Sequence, residues 1–277
     1  MSCAAIRAVD LGKQYVVGSR KNHMDLRDSL APVFRRGSTR VDSGDRCHWA
    51  LRHVDFEVAP NDIVGIVGDN GCGKTTLLKI LARISQPTEG YAEIYGRVGA
   101  LLDGGAGFHA ELTGRENVFL LASLLGMKRL ENQRTFDAIV AFADLEASMD
   151  TPLKYYSSGM CVRLAFAVAA HLDTEILLVD EVLAVADRDY QSKSLEKMIA
   201  LNEGRRTVLF VSHDLPYVQQ LCRHAIVLSE GQVAHCGSAS EAVDFYRSNR
   251  PGRESSDRRS PEPNHRIPVA AAPPSSR

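Results

Sequence analysis

The chain has 277 residues and a net charge of −1, with 44% hydrophobic and 24% charged residues. This composition is ordinary for a globular protein, and the balanced charge gives no indication of binding to nucleic acid or to an anionic membrane. The richest apolar stretch, 118–127, falls short of the ~18 residues that a membrane-spanning helix needs. We also expect no secretory signal, and the six scattered cysteines favour a reducing compartment over disulfides or a zinc site.

Strands alternate with helices along the chain, which predicts an α/β fold with a largely parallel sheet. In chain order the predicted elements are strands over 4–15, 51–58 and 63–67, a helix over 74–84, strands over 92–102, helices over 115–149 and from about 158, strands over 176–179 and 207–211, a strand pair over 224–236 and a last helix from 239.

Several details refine these elements. Val54 is one step out of phase with its strand, which indicates an irregular start, and Gly126 predicts a break between helices. Glu230-Gly231 is the predicted turn of the strand pair. The Ser238-Ala239-Ser240-Glu241 sequence is a capping box that opens the last helix.

Two segments differ in composition from the rest. Residues 16–49 are polar and basic, with a short helical pattern of apolar residues that Pro32 interrupts. Residues 250–277 consist mainly of Pro, Ser, Arg and Ala, which predicts a disordered tail.

A glycine-rich sequence lies between the strand over 63–67 and the following helix. Gly68-Asp69-Asn70-Gly71-Cys72-Gly73-Lys74-Thr75 matches the pattern G-x-x-x-x-G-K-[ST] of a phosphate-binding loop. Glycines let backbone N–H groups wrap a phosphate chain, and the helix N-terminus directs its positive dipole at the same anion. A chance glycine-rich turn is the alternative, which the placement between strand and helix disfavours. The predicted cofactors are ATP and Mg²⁺, and the predicted binding residues are Gly68, Asn70, Gly71, Gly73, Lys74, Thr75 and Thr76.

Lys74 would contact the β- and γ-phosphates, and the Thr75 hydroxyl would bind Mg²⁺. A second motif supplies carboxylates, because Asp180 and Glu181 follow the apolar strand over 176–179. Ligands bind at the carboxyl edge of such sheets. Asp180 would therefore hold Mg²⁺ and its water shell, and Glu181 would polarise the attacking water. A strand that merely ends in acidic residues is the alternative.

A third motif, Tyr156-Ser157-Ser158-Gly159-Met160, precedes an apolar helix and places hydroxyl and N–H donors at its N-terminus. Alone it would be read as a helix cap. Its position before Asp180-Glu181 resembles that of the signature loop of the ABC ATPases, normally Leu-Ser-Gly-Gly-Gln. The variant found here resembles the subfamily that exports polysaccharides such as O-antigen, capsule and teichoic acid.

Other landmarks of that family follow in order. Asp187 corresponds to the family's D-loop aspartate, and His213 to the switch histidine that contacts the γ-phosphate. Tyr15, in Lys13-Gln14-Tyr15, matches the aromatic residue that stacks on adenine, although it could simply end the first strand. The segments 105–109 and 112–117 also resemble the polysaccharide exporters. The chain departs from the family at Asp103-Gly104, where a glutamine is usual.

The resemblance implies an ABC ATPase fold of the P-loop NTPase class, with a RecA-like core, an antiparallel β subdomain and a helical signature subdomain. The implied domain covers 1–249, including the 16–49 insertion and a helical subdomain over 115–172, and is followed by the 250–277 tail. It further implies a homodimer in which each ATP lies between Lys74 of one subunit and Ser158-Gly159 of the other. Separately encoded membrane permeases would be the other partners, with no nucleic acid, and the chain would act in the cytoplasm on the inner face of the membrane.

Three other functions remain open at this stage. The chain could serve export of a drug or another lipid, or it could be a soluble ABC ATPase of translation or DNA repair. The soluble class usually has two ATPase domains or a coiled-coil insertion, and the sequence has one phosphate-loop motif and one signature. A regulatory ATP sensor without turnover is the third, and Glu181 and His213 argue against it.

Two further expectations concern individual segments. Cys72 lies near Lys74 and a helix N-terminus, both of which favour a reactive thiolate, although it could simply fill space. The 16–49 segment is expected to flank the nucleotide site and to present Arg27, Arg35 and Arg36 to phosphates during export; a solvated loop is the alternative.

Overall fold

The computed structural model describes residues 4–17, 46–102, 107–180, 188–203 and 205–249. Several sequence predictions concern other residues and lie outside the described residues. They are the central part of the basic segment (18–45), Asp103-Gly104, Glu181, Asp187 and the tail over 250–277.

The described residues form nine strands and seven α-helices. The strands are β1 (Ile6–Val17), β2 (Arg46–Val58), β3 (Ile63–Val67), β4 (Glu89–Ile94), β5 (Val98–Leu101), β6 (Ile176–Val179), β7 (Thr207–Val211), β8 (His224–Ser229) and β9 (Gln232–Ser238). The helices are α1 (Lys74–Leu81), α2 (Gly114–Leu124), α3 (Arg129–Ala143), α4 (Ser158–Ala170), α5 (Arg188–Glu203), α6 (Leu215–Leu221) and α7 (Ala239–Asn249). Two single 3₁₀ turns lie between α3 and α4. This order confirms the predicted α/β fold.

A six-stranded sheet in the order β5-β6-β7-β3-β8-β9 forms the centre of the molecule. All neighbouring strands are parallel except β8 and β9, which pair antiparallel through the predicted turn at Glu230 (φ 48°) and Gly231 (φ 78°). Side chains alternate between the two faces, so that Val64 and Ile66 of β3 enter one apolar cluster while Ile63 and Val67 enter the other. Burial on both faces explains why these strands are continuous apolar runs.

A smaller antiparallel sheet, in the order β2-β1-β4, covers one face together with α1. The irregular start predicted from Val54 is a register shift between β1 and β2, where Asp10 (φ 45°) and His53 (φ 51°) adopt left-handed backbone conformations. The extra residue returns Val54 to the buried face shared with Leu51, and both side chains are fully buried. The strands also extend further than predicted: Val16 and Val17, assigned to the insertion by sequence, pair with residues of β2.

Helices α2 to α4 form a unit on the other face of the central sheet. Helix α4 packs against both α2 and α3 and is buried along almost its whole length after Val162. The predicted break between α2 and α3 lies at Gly126, with φ of 87°. Helix α1 ends at Leu81, before the predicted Ile84, and Arg83 beyond it has φ of 60°, which cannot continue a helix. Within the parts of the chain that the structure describes, none of the helices has the length and apolar character required to cross a bilayer.

The segment before α2 is organised by one fully buried side chain, that of Asn117. Its Oδ1 accepts a hydrogen bond from the His109 N–H at 2.7 Å, and its Nδ2 donates to the carbonyls of His109, Leu112 and Thr113. Thr113 and Glu116 add a reciprocal capping box at the start of the helix. The sequence run ending in Asn117 is therefore a hydrogen-bonded turn that sets how the chain enters the helical unit.

Replacing Asn117 by alanine is expected to lower the free energy of unfolding by about 2 to 4 kcal/mol, since several buried backbone groups lose their partner. Urea unfolding followed by circular dichroism measures the loss. Asn249→Ala, at the exposed end of α7, is the matched control and should change stability by no more than about 0.5 kcal/mol. Equal stability of the two variants would contradict this role for Asn117.

Candidate functional site

The glycine-rich loop connects the carboxyl end of β3 to the N-terminus of α1. Two of its glycines, Gly71 (φ 80°) and Gly73 (φ 109°), have left-handed conformations that other residues rarely adopt. At Gly73 a Cβ atom would also lie 2.5 Å from the Ala50 carbonyl oxygen, so the loop passes against β2 with no space for a side chain. Close approach to β2 and backbone conformation together require glycine at this position.

Lys74 is the first residue of α1, and its side chain turns back over the loop. Its Nζ donates to the main-chain oxygens of Gly68 at 2.9 Å and Asp69 at 3.1 Å, and only 6% of the residue is exposed. A cavity of about 190 Å³ lies beside it. Residues lining this cavity are Ala50, Asn70, Gly71, Gly73, Lys74, Thr75 and Thr76. A nearly buried ammonium group beside a cavity at a helix N-terminus favours an anionic ligand.

Thr75 and Asp180 come together from distant parts of the sequence. The Thr75 Oγ1 donates to Asp180 Oδ2 at 2.9 Å, and Asp180 is 7% exposed. A hydroxyl and a carboxylate are the hard oxygen ligands that Mg²⁺ takes in nucleotide sites, where phosphates and water complete its coordination. The donor set therefore fits Mg²⁺, although no cluster of three His, Cys, Asp or Glu side chains able to hold a metal occurs among the described residues.

Parallel strands explain why the motifs meet. Strands β6, β7 and β3 are consecutive neighbours, and Asp180, His213 and Gly68 each follow the carboxyl end of one of them. The exposed His213 thus lies at the edge of the sheet between the carboxylate and the glycine-rich loop. Its neighbour Ser212 accepts a hydrogen bond from the Asp214 N–H at 3.0 Å, which shapes the turn after β7.

Tyr15 lies on β1 opposite His48 of β2, and Ala50 of the same strand lines the cavity. The tyrosine is 40% exposed, and the Lys13 Nζ lies 5.4 Å from its ring centroid. Strand β1 continues to Val17, so Tyr15 does not end the strand.

Ser158 and Gly159 open α4 in the helical unit, and the cap itself is Ser157, whose Oγ accepts from the Met160 N–H at 3.2 Å. Ser158 itself is exposed. Ser158 and Gly159 therefore lie at the N-terminus of a helix of the helical unit, whereas Asp180 follows a strand of the central sheet.

The structure contradicts the expectation that Cys72 is a reactive thiolate. The thiol is nearly buried, and burial raises its pKa, although the positive charge of Lys74 opposes this shift. Because the folded-state pKa is raised, the thiolate fraction at neutral pH is smaller than that of an ordinary cysteine. The prediction of a favoured thiolate at Cys72 is therefore wrong, and the side chain fills space beneath Gly68.

We expect a thiol reagent at pH 7 to modify the exposed Cys47 at least about tenfold faster than Cys72 in the native protein. Mass spectrometry of peptides from timed samples gives both rates in one experiment. Modification of Cys72 as fast as Cys47 would contradict the burial and the protonated thiol described above.

One contact near the site had no signal in the sequence. The Tyr246 hydroxyl of α7 donates to the Asp69 carboxylate of the glycine-rich loop at 2.6 Å, across 177 positions of the chain. Asp69 occupies an unspecified position of the G-x-x-x-x-G-K-[ST] motif and Tyr246 lies outside it, so only the folded structure reveals that the two side chains are bonded.

The fold and the site together define a P-loop nucleotide-binding protein. Residues 51–184 match the family described as "ABC transporter". The chain is 38% identical over 202 residues to the O-antigen export system ATP-binding protein RfbB of Klebsiella pneumoniae, covering 73% of this chain and 82% of that protein. This chain therefore belongs to the ATP-binding proteins of the ABC transporter family.

A second relative, the O-antigen export system ATP-binding protein RfbB of Myxococcus xanthus, is 44% identical over 198 residues. That match covers 72% of this chain but only 45% of the Myxococcus protein, so the chain spans less than half of that relative. A solved structure described as the dimeric, post-hydrolysis state of an ATP-binding cassette with ADP and Pi is similar in fold, with a TM-score of 0.67 at 21% identity. The match covers 84% of this chain and 98% of that one.

Proposed function

We propose that this chain is the ATP-hydrolysing subunit of an ABC exporter that moves a lipid-linked polysaccharide, of O-antigen, capsule or teichoic-acid type, across the cytoplasmic membrane. The observation that carries the ATPase part is that Lys74 and Thr75 line one cavity and that the Thr75 hydroxyl is bonded to Asp180. The substrate class is supported by the relatives, which are named as O-antigen export proteins, and by the Tyr-Ser-Ser-Gly-Met signature.

In this proposal the loop N–H groups and the Lys74 ammonium bind the β- and γ-phosphates of ATP. Thr75 and Asp180 would hold Mg²⁺, which neutralises charge on the phosphates when bound. Tyr15 stacks on adenine from β1. Glu181 orients and polarises the attacking water, and His213 contacts the γ-phosphate from the end of β7.

The site is complete only with a second subunit in this proposal. Ser158 and Gly159 of the partner would close on the γ-phosphate through the α4 N-terminus, and Asp187 would contribute at the same interface. The dimeric state named for the cassette of similar fold supports such an arrangement. ATP then stabilises the closed dimer, and hydrolysis releases it.

In this proposal, export also requires proteins other than this chain. Separately encoded permease subunits would span the membrane, and this subunit would act on its cytoplasmic face. We also propose that the chain divides into a domain over 1–249, with the 16–49 insertion and a helical subdomain over 115–172, and a separate disordered tail over 250–277. The 16–49 segment would contribute Arg27, Arg35 and Arg36 to phosphate contacts during export.

The proposal is tested in two stages. The full-length protein should release phosphate from ATP only with Mg²⁺, and Asp180→Asn should abolish the release. In the source organism, deletion of the gene should remove the polysaccharide from the cell surface and accumulate its lipid-linked form inside. Wild type should restore export and Asp180→Asn should not. Normal surface polysaccharide in the deletion strain would overturn the substrate class and favour export of a drug or another lipid, or a soluble role.

A further inference from the structure

A hydrogen bond links helix α7 to the phosphate loop. The Tyr246 hydroxyl lies 2.6 Å from Asp69 Oδ1. A short O–H···O⁻ bond to a carboxylate is among the stronger hydrogen bonds in proteins. Asp69 is the second residue of the loop, and the next residue, Asn70, lines the cavity proposed for the phosphates.

The position of the phenol is fixed by the way α7 packs. Ser238 and Glu241 exchange hydrogen bonds at the helix start, which confirms the predicted capping box. Ala239, Ala242 and Val243 are buried against the core. Tyr246 follows at the i+3 and i+4 spacing from the last two, so it lies on the same helix face. The packing of this helix face against the core therefore positions the Tyr246 hydroxyl beside Asp69.

Asp69 is also bonded to the groups that bind phosphate. Its main-chain oxygen accepts hydrogen bonds from the Lys74 Nζ at 3.1 Å and from the Cys72 N–H at 3.2 Å. A shift of Asp69 would consequently move the lysine and the loop backbone. Its carboxylate is, in addition, a negative charge beside a site for a highly negative ligand, where an unrestrained approach would repel the phosphates.

We propose that Tyr246 is a positioning residue of the ATP site. Its hydroxyl holds the Asp69 carboxylate toward α7 and away from the phosphates, and thereby sets the affinity of the loop for ATP. This role rests on the proposed function, because it presupposes that the loop binds ATP.

The test uses Tyr246→Phe in the full-length protein, which removes one oxygen and keeps the packed ring. We expect the KM for ATP to rise about five- to tenfold and kcat to change by less than about twofold, because a bond to a charged group is lost at the binding site and not at the reacting atoms. Tyr91→Phe, at a 48% exposed tyrosine of β4, is the matched control and should leave both constants unchanged.

The double variant Tyr246→Phe/Asp69→Asn separates positioning from packing. A neutral amide no longer repels the phosphates, so the double variant should bring the KM back to within about twofold of wild type. A purely structural role for the tyrosine would leave the KM of the double variant as high as that of Tyr246→Phe, or higher.

An unchanged KM for Tyr246→Phe, with or without a lower melting temperature, would overturn the proposal. A double variant whose KM for ATP stays as high as that of Tyr246→Phe would overturn it as well. Equilibrium binding of a fluorescent ATP analogue to the same proteins gives the Kd independently of turnover. If wild type binds the analogue without hydrolysing ATP, the ATPase function fails while the Kd values still decide the role of Tyr246. If wild type does not bind the analogue, both proposals are overturned.

Discussion

Replacing Lys74 by alanine is expected to reduce ATP hydrolysis by about a hundred- to a thousandfold or more, since removing one hydrogen-bond donor from a preorganised site costs about that much. The Nζ of Lys74 lies against the loop backbone, and the residue is 6% exposed, so its charge acts on phosphates with little screening by water. Alanine keeps the helix but leaves the loop without its cation. Phosphate release at saturating Mg²⁺ and ATP measures the loss.

The matched control is Lys79→Ala, which removes an exposed lysine from the same helix one turn beyond the loop. It carries the same loss of charge and the same gain in helix propensity without touching the cavity. We expect its activity to stay within about twofold of wild type. Comparable losses in the two variants would show that net charge matters and not the placement of Lys74.

The Glu181→Gln protein is expected to bind ATP with near-normal affinity and to lose hydrolysis by about a hundred- to ten-thousandfold, the contribution typical of a general base. Glutamine keeps the shape of the side chain but cannot take a proton from water. In the sequence Glu181 directly follows Asp180, which is one of the Mg²⁺ ligands proposed here. Because ATP then persists, the variant should remain a dimer.

Size-exclusion chromatography with light scattering, with and without saturating ATP, measures the dimer. Glu175→Gln is the matched control, since it neutralises the exposed carboxylate immediately before the opposite end of the same strand. That variant should hydrolyse ATP normally and show no lasting dimer. A Glu181→Gln protein that stays monomeric with ATP, or one that hydrolyses it normally, would remove Glu181 from the catalytic role.

The order of strands and helices could be predicted because it depends on local patterns. Continuous apolar runs indicated the parallel strands, and the break at Gly126 and the capping box at Ser238 are encoded within a few neighbouring residues. The predicted first and last residues of these elements were less accurate than their order. The pairing of Val16 and Val17 with β2 depends on residues far along the chain, which a local pattern does not contain.

For the site as well, some features follow from local sequence and others from contacts between distant segments. The sequence by itself determined the phosphate loop, because the glycines, lysine and threonine are consecutive and their backbone requirements are local. It also indicated Asp180, as an acidic residue ending a buried strand. Only the tertiary structure decided that Thr75 and Asp180 lie within hydrogen-bond distance, because parallel pairing brings the ends of separate strands to one edge.

Tertiary structure also reversed one chemical inference and supplied one contact. The neighbours of Cys72 in sequence favour a thiolate, but burial is decided by what packs over the loop, and desolvation outweighs the charge of Lys74. The bond from Tyr246 to Asp69 depends on the packing of α7 against the core. Short-range patterns fix backbone conformation, whereas burial and long-range pairing arise only when distant segments pack together and exclude water.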